Sequence, residues 1–275
     1  MATFNGYGAV HDPEQRYGSR SGGVEEQPLL RPEPLRSSWR KNLSVDIRRD
    51  WADLVLLACY IITGLLDSAS ISTWGSFVSM QTGNTVYIGL GLAAPRESTR
   101  WIKSATSLAC FCIGSVFFSA FHRHFSPKRR WVLCVSFLTQ AAFIIAAAAI
   151  ITFGPKADDP IKTIGWPELV PIALIAFQSC GQAITSRALK YNALTSVVLT
   201  SIYCDLFSDA NILALNNVER NRRVGAPILL LIGAILGGLL AHSSVGTAGV
   251  LWLAAVLKLS VVVSWFFWPA EKEQN

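Results

Sequence analysis

After residue 50 this chain is a succession of about eight apolar stretches, beginning near Ala52, Phe77, Ile102, Val132, Leu169, Leu194, Ile228 and Gly249. A helix crossing ~30 Å of hydrocarbon takes roughly 20 apolar residues, and hydrocarbon tolerates only backbone whose polar groups are satisfied internally. The pattern therefore predicts an all-α polytopic membrane protein. Mean hydropathy of +0.38, with 51% apolar and 15% charged residues over 275 positions, is far from the allocation of a soluble domain.

The excess of Lys and Arg over Asp and Glu, 24 against 18, does not indicate nucleic acid. These residues lie mostly in the N-terminal region and in short connections beside apolar ends, the positions of a positive-inside pattern. The six cysteines, Cys59, Cys110, Cys112, Cys134, Cys180 and Cys204, fall within apolar stretches without a CxxC pair or a His at ligand spacing, which is a structural usage.

Residues 1 to 50 carry Gly, Pro, Ser, Arg and Glu with no sustained apolar period, the composition of a disordered tail, and no cleavable signal peptide is visible in them. Arg36, Arg40, Lys41, Arg48 and Arg49 outweigh Asp46 and Asp50 just before the first apolar stretch, which places the tail in the cytoplasm, where the basic patch can meet anionic lipid. The sequon Asn42-Leu43-Ser44 is discounted on that side. Within the tail, Glu25-Glu26-Gln27-Pro28-Leu29-Leu30 resembles an acidic dileucine sorting signal, with Glu25, Leu29 and Leu30 as its recognition residues. The resemblance implies a clathrin adaptor as partner and a vacuolar or endosomal membrane of a eukaryotic cell; without it the plasma membrane is the expectation.

The rest divides into two halves, 51–153 and 166–269, with features in the same order. Gly64-Leu65-Leu66-Asp67-Ser68-Ala69 ends one stretch and Thr82-Gly83-Asn84 lies in the next. Cys180-Gly181-Gln182-Ala183 and Thr200-Ser201 repeat that order, and Ile113-Gly114 with His122 is echoed by Ile232-Gly233 with His242. The two motif stretches, Phe77 to Ala94 and Leu194 to Leu215, are the poorest in apolar residues and would insert badly facing lipid. Two topologies follow: six full transmembrane helices plus two broken or re-entrant motif helices with inverted halves, or eight spans with parallel halves. The basic turn His122 to Arg130 favours a cytoplasmic place and with it six spans; both versions leave the N and C termini in the cytoplasm.

Gly64-Leu65-Leu66-Asp67 followed about a dozen residues later by Phe77-Val78-Ser79-Met80-Gln81-Thr82-Gly83-Asn84-Thr85 resembles the YoaK-like family of small integral membrane proteins, also called domain of unknown function 1275. The resemblance covers about residues 52 to 268 and implies fold and location more than activity. Its second-half motif, Gly-x-Gln-Asn-Ala and then Thr-Gly, is altered here: Gln182-Ala183 lacks the Asn, and Thr200-Ser201 replaces Thr-Gly.

Gly83 sits among Gln81, Thr82, Asn84 and Thr85 where a helix can break, and a half-helix beginning there would aim its N–H groups and positive dipole end at a solute. The same residue types also pack helices closely. Asp67 is read either as a proton-coupling carboxylate or as a cap of the following turn. Asp205 and Asp209 share a helix face, and the intramembrane Lys258, or Arg187, is a candidate to neutralise one of them. His122 and His124 flank Arg123 in a turn expected to be solvated. Gly233, Gly237 and Gly238 with Ala234 and Ala241 form a small-residue surface for close packing or a homo-oligomer.

No P-loop, GxSxG or HExxH pattern is present, so catalysis and cofactors are not expected. The leading expectation is a secondary transporter or channel-like permease for a small polar or anionic solute, its pathway lined by Asp67, Gln81, Thr82, Gly83, Asn84, Thr85, Gln182, Thr200 and Ser201. The competing one is a non-transporting membrane scaffold or assembly protein whose small polar motifs pack helices.

Overall fold

The computed structural model describes residues 42–155, 164–191, 194–214 and 216–271. Eight helices run through them: α1 (Ala52–Trp74), α2 (Gln81–Ala93), α3 (Arg100–His124), α4 (Arg130–Phe153), α5 (Trp166–Ala188), α6 (Leu199–Phe207), α7 (Val218–Ala241) and α8 (Gly246–Phe266). Six of them, all but α2 and α6, are long and apolar enough to cross a membrane. Among the described residues there is no named strand, only isolated bridges between Asp46 and Arg129 and between Ile47 and Ala270.

At ~1.5 Å per residue, helices of 21 to 25 residues reach the thickness of the hydrocarbon, whereas the 13 residues of α2 and the 9 of α6 do not. Local chemistry fixes the ends. Gly75, at φ 73°, closes α1 in the left-handed conformation and returns its N–H to Ile71 O at 3.1 Å. Pro167 opens α5, where a missing N–H costs nothing. Asn217 caps α7, its side chain accepting from Arg220 N at 2.9 Å.

The two short helices are re-entrant. After Gly75 the chain turns back along α1: Ser70 Oγ donates to Ser76 O at 2.7 Å, and Val78 and Ser79 come level with Asp67, about 10 Å inside the end of α1. From there α2 returns antiparallel to α3, its start meeting Ser107 and Gly91 packing on Trp101 near the α3 N-terminus. Arg100, the first residue of α3, donates to Gly75 O, so the segment leaves on the side from which it entered.

The second segment does the same from the opposite side. Lys190, at φ 65°, turns the chain after α5, and Ser196, at φ 58°, lies beside Gln182. The N-terminus of α7 then returns to the level of the α5 C-terminus, where Arg222 lies 5.4 Å over the Tyr191 ring and binds Asp53 at 2.7 Å.

Helix α1 packs on α7, α3 on α5, α4 on α5 and α8, and α1 also on α5 and α8. Close approach of α1 and α7 depends on glycine: a Cβ on Gly64 would lie 2.0 Å from Leu230 O, and one on Gly233 2.1 Å from Ile61 O. Of the predicted small-residue surface, Gly233 and Gly237 serve this contact and Gly238 meets nothing within 4 Å.

The boundary predicted at residue 50 is corrected by the pairing that precedes it. Ile47 N donates to Lys128 O at 2.9 Å, Arg130 N to Val45 O at 3.1 Å and Arg48 N to Pro269 O at 3.0 Å, so residues 45–48 are tied to the α3–α4 turn and to the end of α8. Backbone pairing of this kind leaves no trace in hydropathy. This is the tail end of the bundle. At the far end Lys103 meets Glu168 at 2.6 Å, and Trp252 Nε1 donates to Thr152 Oγ1 at 3.1 Å. Glu25, Leu29 and Leu30 lie outside the described residues.

Candidate functional site between the re-entrant segments

Asp67 and Asn84 hold the first re-entrant segment. The Asp67 Oδ1 accepts from Val78 N and Ser79 N, both at 2.9 Å, and Oδ2 accepts from the Ser79 hydroxyl. Asn84, with no exposed surface, accepts from Phe77 N at 3.0 Å and donates to Phe77 O at 2.7 Å, to Gln81 Oε1 and to Ser107 Oγ. Extended backbone at membrane depth has its polar groups exposed to hydrocarbon unless protein satisfies them, and these two side chains do so. Gly83 lies against the Phe77 ring, and Thr85 Oγ1 returns to Gln81 O at 2.9 Å on an exposed face.

The second segment is held through a buried polar knot. Gln182 Nε2 donates to Ser196 Oγ at 2.7 Å and to Thr63 Oγ1, while its Oε1 accepts from Lys258 Nζ at 2.7 Å. Lys258, also without exposed surface, donates in addition to Gln140 Oε1 at 3.0 Å and lies 5.5 Å over the Phe137 ring. Gln140 Nε2 reaches Ser136 Oγ at 3.4 Å, and Ser136 meets His122 Nε2 at 3.3 Å, which also meets Thr185 Oγ1 at 3.2 Å.

Two expectations are corrected here. The neutralising partner of Lys258 is neither Asp205 nor Asp209 but a pair of amide oxygens, because α6 turns away at the tail end: Asp205 is exposed, and Asp209 pairs with Asn217 at 3.0 Å and Arg223 at 3.5 Å. His122 is not in a solvated turn. Helix α3 continues through it, and its ring is buried against Ser136 and Thr185.

Between the segments lies a cavity of about 170 Å³ lined by Ser79, Gln81 and Thr82 at the start of α2, Val197 and Val198 before α6, Phe111 and Ser115 of α3, and Cys180, Ala183, Ile184 and Arg187 of α5. Of the sequence-derived pathway residues, Gln81 and Thr82 reach it. Asp67, Gly83, Asn84 and Gln182 stand behind its walls as supports, Thr85 lies on an exposed face of α2, and Thr200 and Ser201 lie on an exposed face of α6. Sequence reasoning missed Arg187 as a lining residue and Gln140 as a partner of Lys258. Gln140 was detectable as an amide inside an otherwise apolar stretch. Among the described residues no group of three His, Cys, Asp or Glu side chains is placed to share a metal ion.

Six long apolar helices and two re-entrant half-helices entering from opposite ends define a polytopic α-helical membrane protein. Within that class the chain belongs to the family described as "Protein of unknown function (DUF1275)", which it matches over residues 55–264. No curated protein and no solved structure matches it.

Proposed function

We propose that the protein is a permease for a small polar or anionic solute, which passes through the cavity where the two re-entrant segments meet. The observation that carries this reading is the meeting itself. Residues at the starts of two half-helices, Gln81 and Thr82 of one and Val197 and Val198 before the other, border one small void beside Ser115 and Arg187. Half-helix starts carry free N–H groups and positive dipole ends, the usual means of holding a solute inside a membrane.

The helix contacts support reading 51–153 and 166–269 as inverted repeats. Exchanging α1 with α5, α2 with α6, α3 with α7 and α4 with α8 carries the α1–α7 contact onto α5–α3, α2–α3 onto α6–α7, and α4–α5 onto α8–α1. Arg48, Arg49, Arg123, Lys128, Arg129, Arg130, Arg187, Arg220, Arg222 and Arg223 gather at the tail end, which on the positive-inside rule is cytoplasmic together with both termini. The Glu25, Leu29 and Leu30 motif would then face clathrin adaptors and direct the protein to a vacuole or endosome.

A second reading, a scaffold that transports nothing, is favoured by the purely supporting roles of Asn84 and Gly83. Purified protein in liposomes separates the two. Under inward gradients of urea, glycerol or potassium formate with valinomycin, light scattering is expected to report swelling faster than in protein-free vesicles. Thr82→Trp is expected to block it without lowering the unfolding temperature. Swelling equal to that of empty vesicles for every solute would leave the scaffold.

A further inference from the structure

The cavity is bordered by one basic residue, Arg187, and by nothing acidic. Arg187 stands in its wall and enters none of the ion pairs formed among the described residues. No Asp or Glu lines the void.

Behind the same wall is Lys258. Its partners, two amide carbonyl oxygens and the face of the Phe137 ring, all suit an ammonium. None suits the lone pair of a neutral amine, because the amide nitrogens are turned away: that of Gln182 to Thr63 and Ser196, that of Gln140 to Ser136. These partners suit the ammonium form of Lys258, and no carboxylate lies within 4.0 Å of it among the described residues.

Helix α5 links Lys258 of α8 to the void. Gln182, which accepts from Lys258, is next to Ala183 and two residues after Cys180, both of which line the cavity. A charge in a low-dielectric interior acts over longer distances than one in water. The starts of α2 and α6 add positive dipole ends at the same place.

We propose that this cavity selects a small monovalent anion, with Arg187 as its contact residue and Lys258 as the buried counter-charge that sets selectivity through its field. Transport of that anion rests on the permease reading; binding does not. The volume of about 170 Å³ accommodates an ion the size of nitrate, formate or chloride.

Thermal unfolding of the full chain in detergent, titrated with sodium nitrate at ionic strength held constant by sodium gluconate, tests binding. Nitrate is expected to raise the unfolding temperature, and Arg187→Gln, at an exposed position, to weaken the half-saturating concentration by about tenfold. In liposomes the ratio of nitrate to urea flux is expected to fall by about tenfold in Lys258→Met and to persist in Lys258→Arg. Where Lys258→Met does not fold, Lys258→Arg and Arg187→Gln carry the comparison. An unfolding temperature indifferent to nitrate, or a nitrate response unchanged in Arg187→Gln, overturns the anion site. Nitrate binding without flux of any solute keeps the site and removes the permease.

Discussion

Asp67 receives Ser79 twice: the Oδ1 accepts the Ser79 backbone N–H at 2.9 Å, and Oδ2 accepts its hydroxyl. With Val78 N on the same Oδ1, one carboxylate ends the isolation of two N–H groups in backbone that belongs to no helix. Removing it leaves buried donors unpaired, at about 1–3 kcal/mol for each. Asp67→Ala is therefore expected to lower stability by about 2–5 kcal/mol, and Asp67→Asn, which keeps one acceptor oxygen, by less. Reversible denaturation in mixed micelles measures both. Equal stability of Asp67→Ala and wild type would show that the carboxylate does not hold the segment.

The α1–α7 contact gives a prediction with an internal control. A methyl on Gly64 would overlap Leu230 O and Ala234 N, atoms of backbone that move only if the helices separate. Gly64→Ala is expected to cost about 1–3 kcal/mol by overpacking. Gly238→Ala meets nothing within 4 Å and is expected to be neutral or stabilising by up to ~1 kcal/mol, since alanine is the better helix former. Scanning fluorimetry should place Gly64→Ala below wild type and Gly238→Ala level with it or above.

Topology is testable at single positions. Pro95 follows α2 at the far end, and Lys128 lies in the α3–α4 turn at the tail end. In a cysteine-free background and in sealed membranes with the cytoplasmic side outward, Lys128→Cys is expected to react with a membrane-impermeant maleimide, and Pro95→Cys only after permeabilisation. An eight-span arrangement would put residue 95 in the cytoplasm and reverse its behaviour.

The six long helices were legible because hydrocarbon imposes a length and a composition that a sequence cannot hide. The re-entrant segments were legible for the converse reason: Phe77 to Ala94 and Leu194 to Leu215 hold too many polar groups for lipid. Partners across helices were not legible. Whether Lys258 meets Asp205 or Gln140 depends on helix rotation and on where α6 exits, and neither is encoded in spacing along one strand of sequence. His122 lies beside Arg123 in a basic run, yet the last turn of α3 directs one ring inward and the guanidinium outward. Residues 45–48 escaped because their order comes from distant backbone, Lys128 O and Pro269 O.

The connection between α6 and α7 has its own pH dependence. Hydrogen bonds from Asn211 N at 2.8 Å and Asn217 Nδ2 at 3.0 Å hold the Asp209 carboxyl below the ordinary value of 3.8. A depressed carboxylate contributes stability that is present above its unfolded value and is lost as pH falls through the folded one. The turn is thus expected to resist protease unchanged from neutrality down to about pH 4 and to loosen below it. Asn217→Ala, which removes one donor, should move that loosening to higher pH. Limited proteolysis along a pH series measures it, and a turn equally resistant at pH 3 would rule the carboxylate out.

Asn84 and Thr82 separate architecture from passage. From sequence alone, the permease reading expects Asn84→Ala to fold normally and lose flux, and the scaffold reading expects it to lose thermal stability. The four hydrogen bonds of Asn84 fix Phe77, Gln81 and Ser107, so truncation should leave the Phe77 N–H unpaired, its C=O keeping the Ser107 hydroxyl, and cost about 1–3 kcal/mol. Thr82 lines the cavity and is exposed, and no hydrogen bond among the described residues depends on its side chain. Thr82→Val should keep the unfolding temperature within a degree or two of wild type while changing solute flux in liposomes. If Asn84→Ala matched wild type in stability and Thr82→Val matched it in flux, the segment would be neither clamped by the one nor open beside the other, and the cavity between α2 and α6 would have no part in transport.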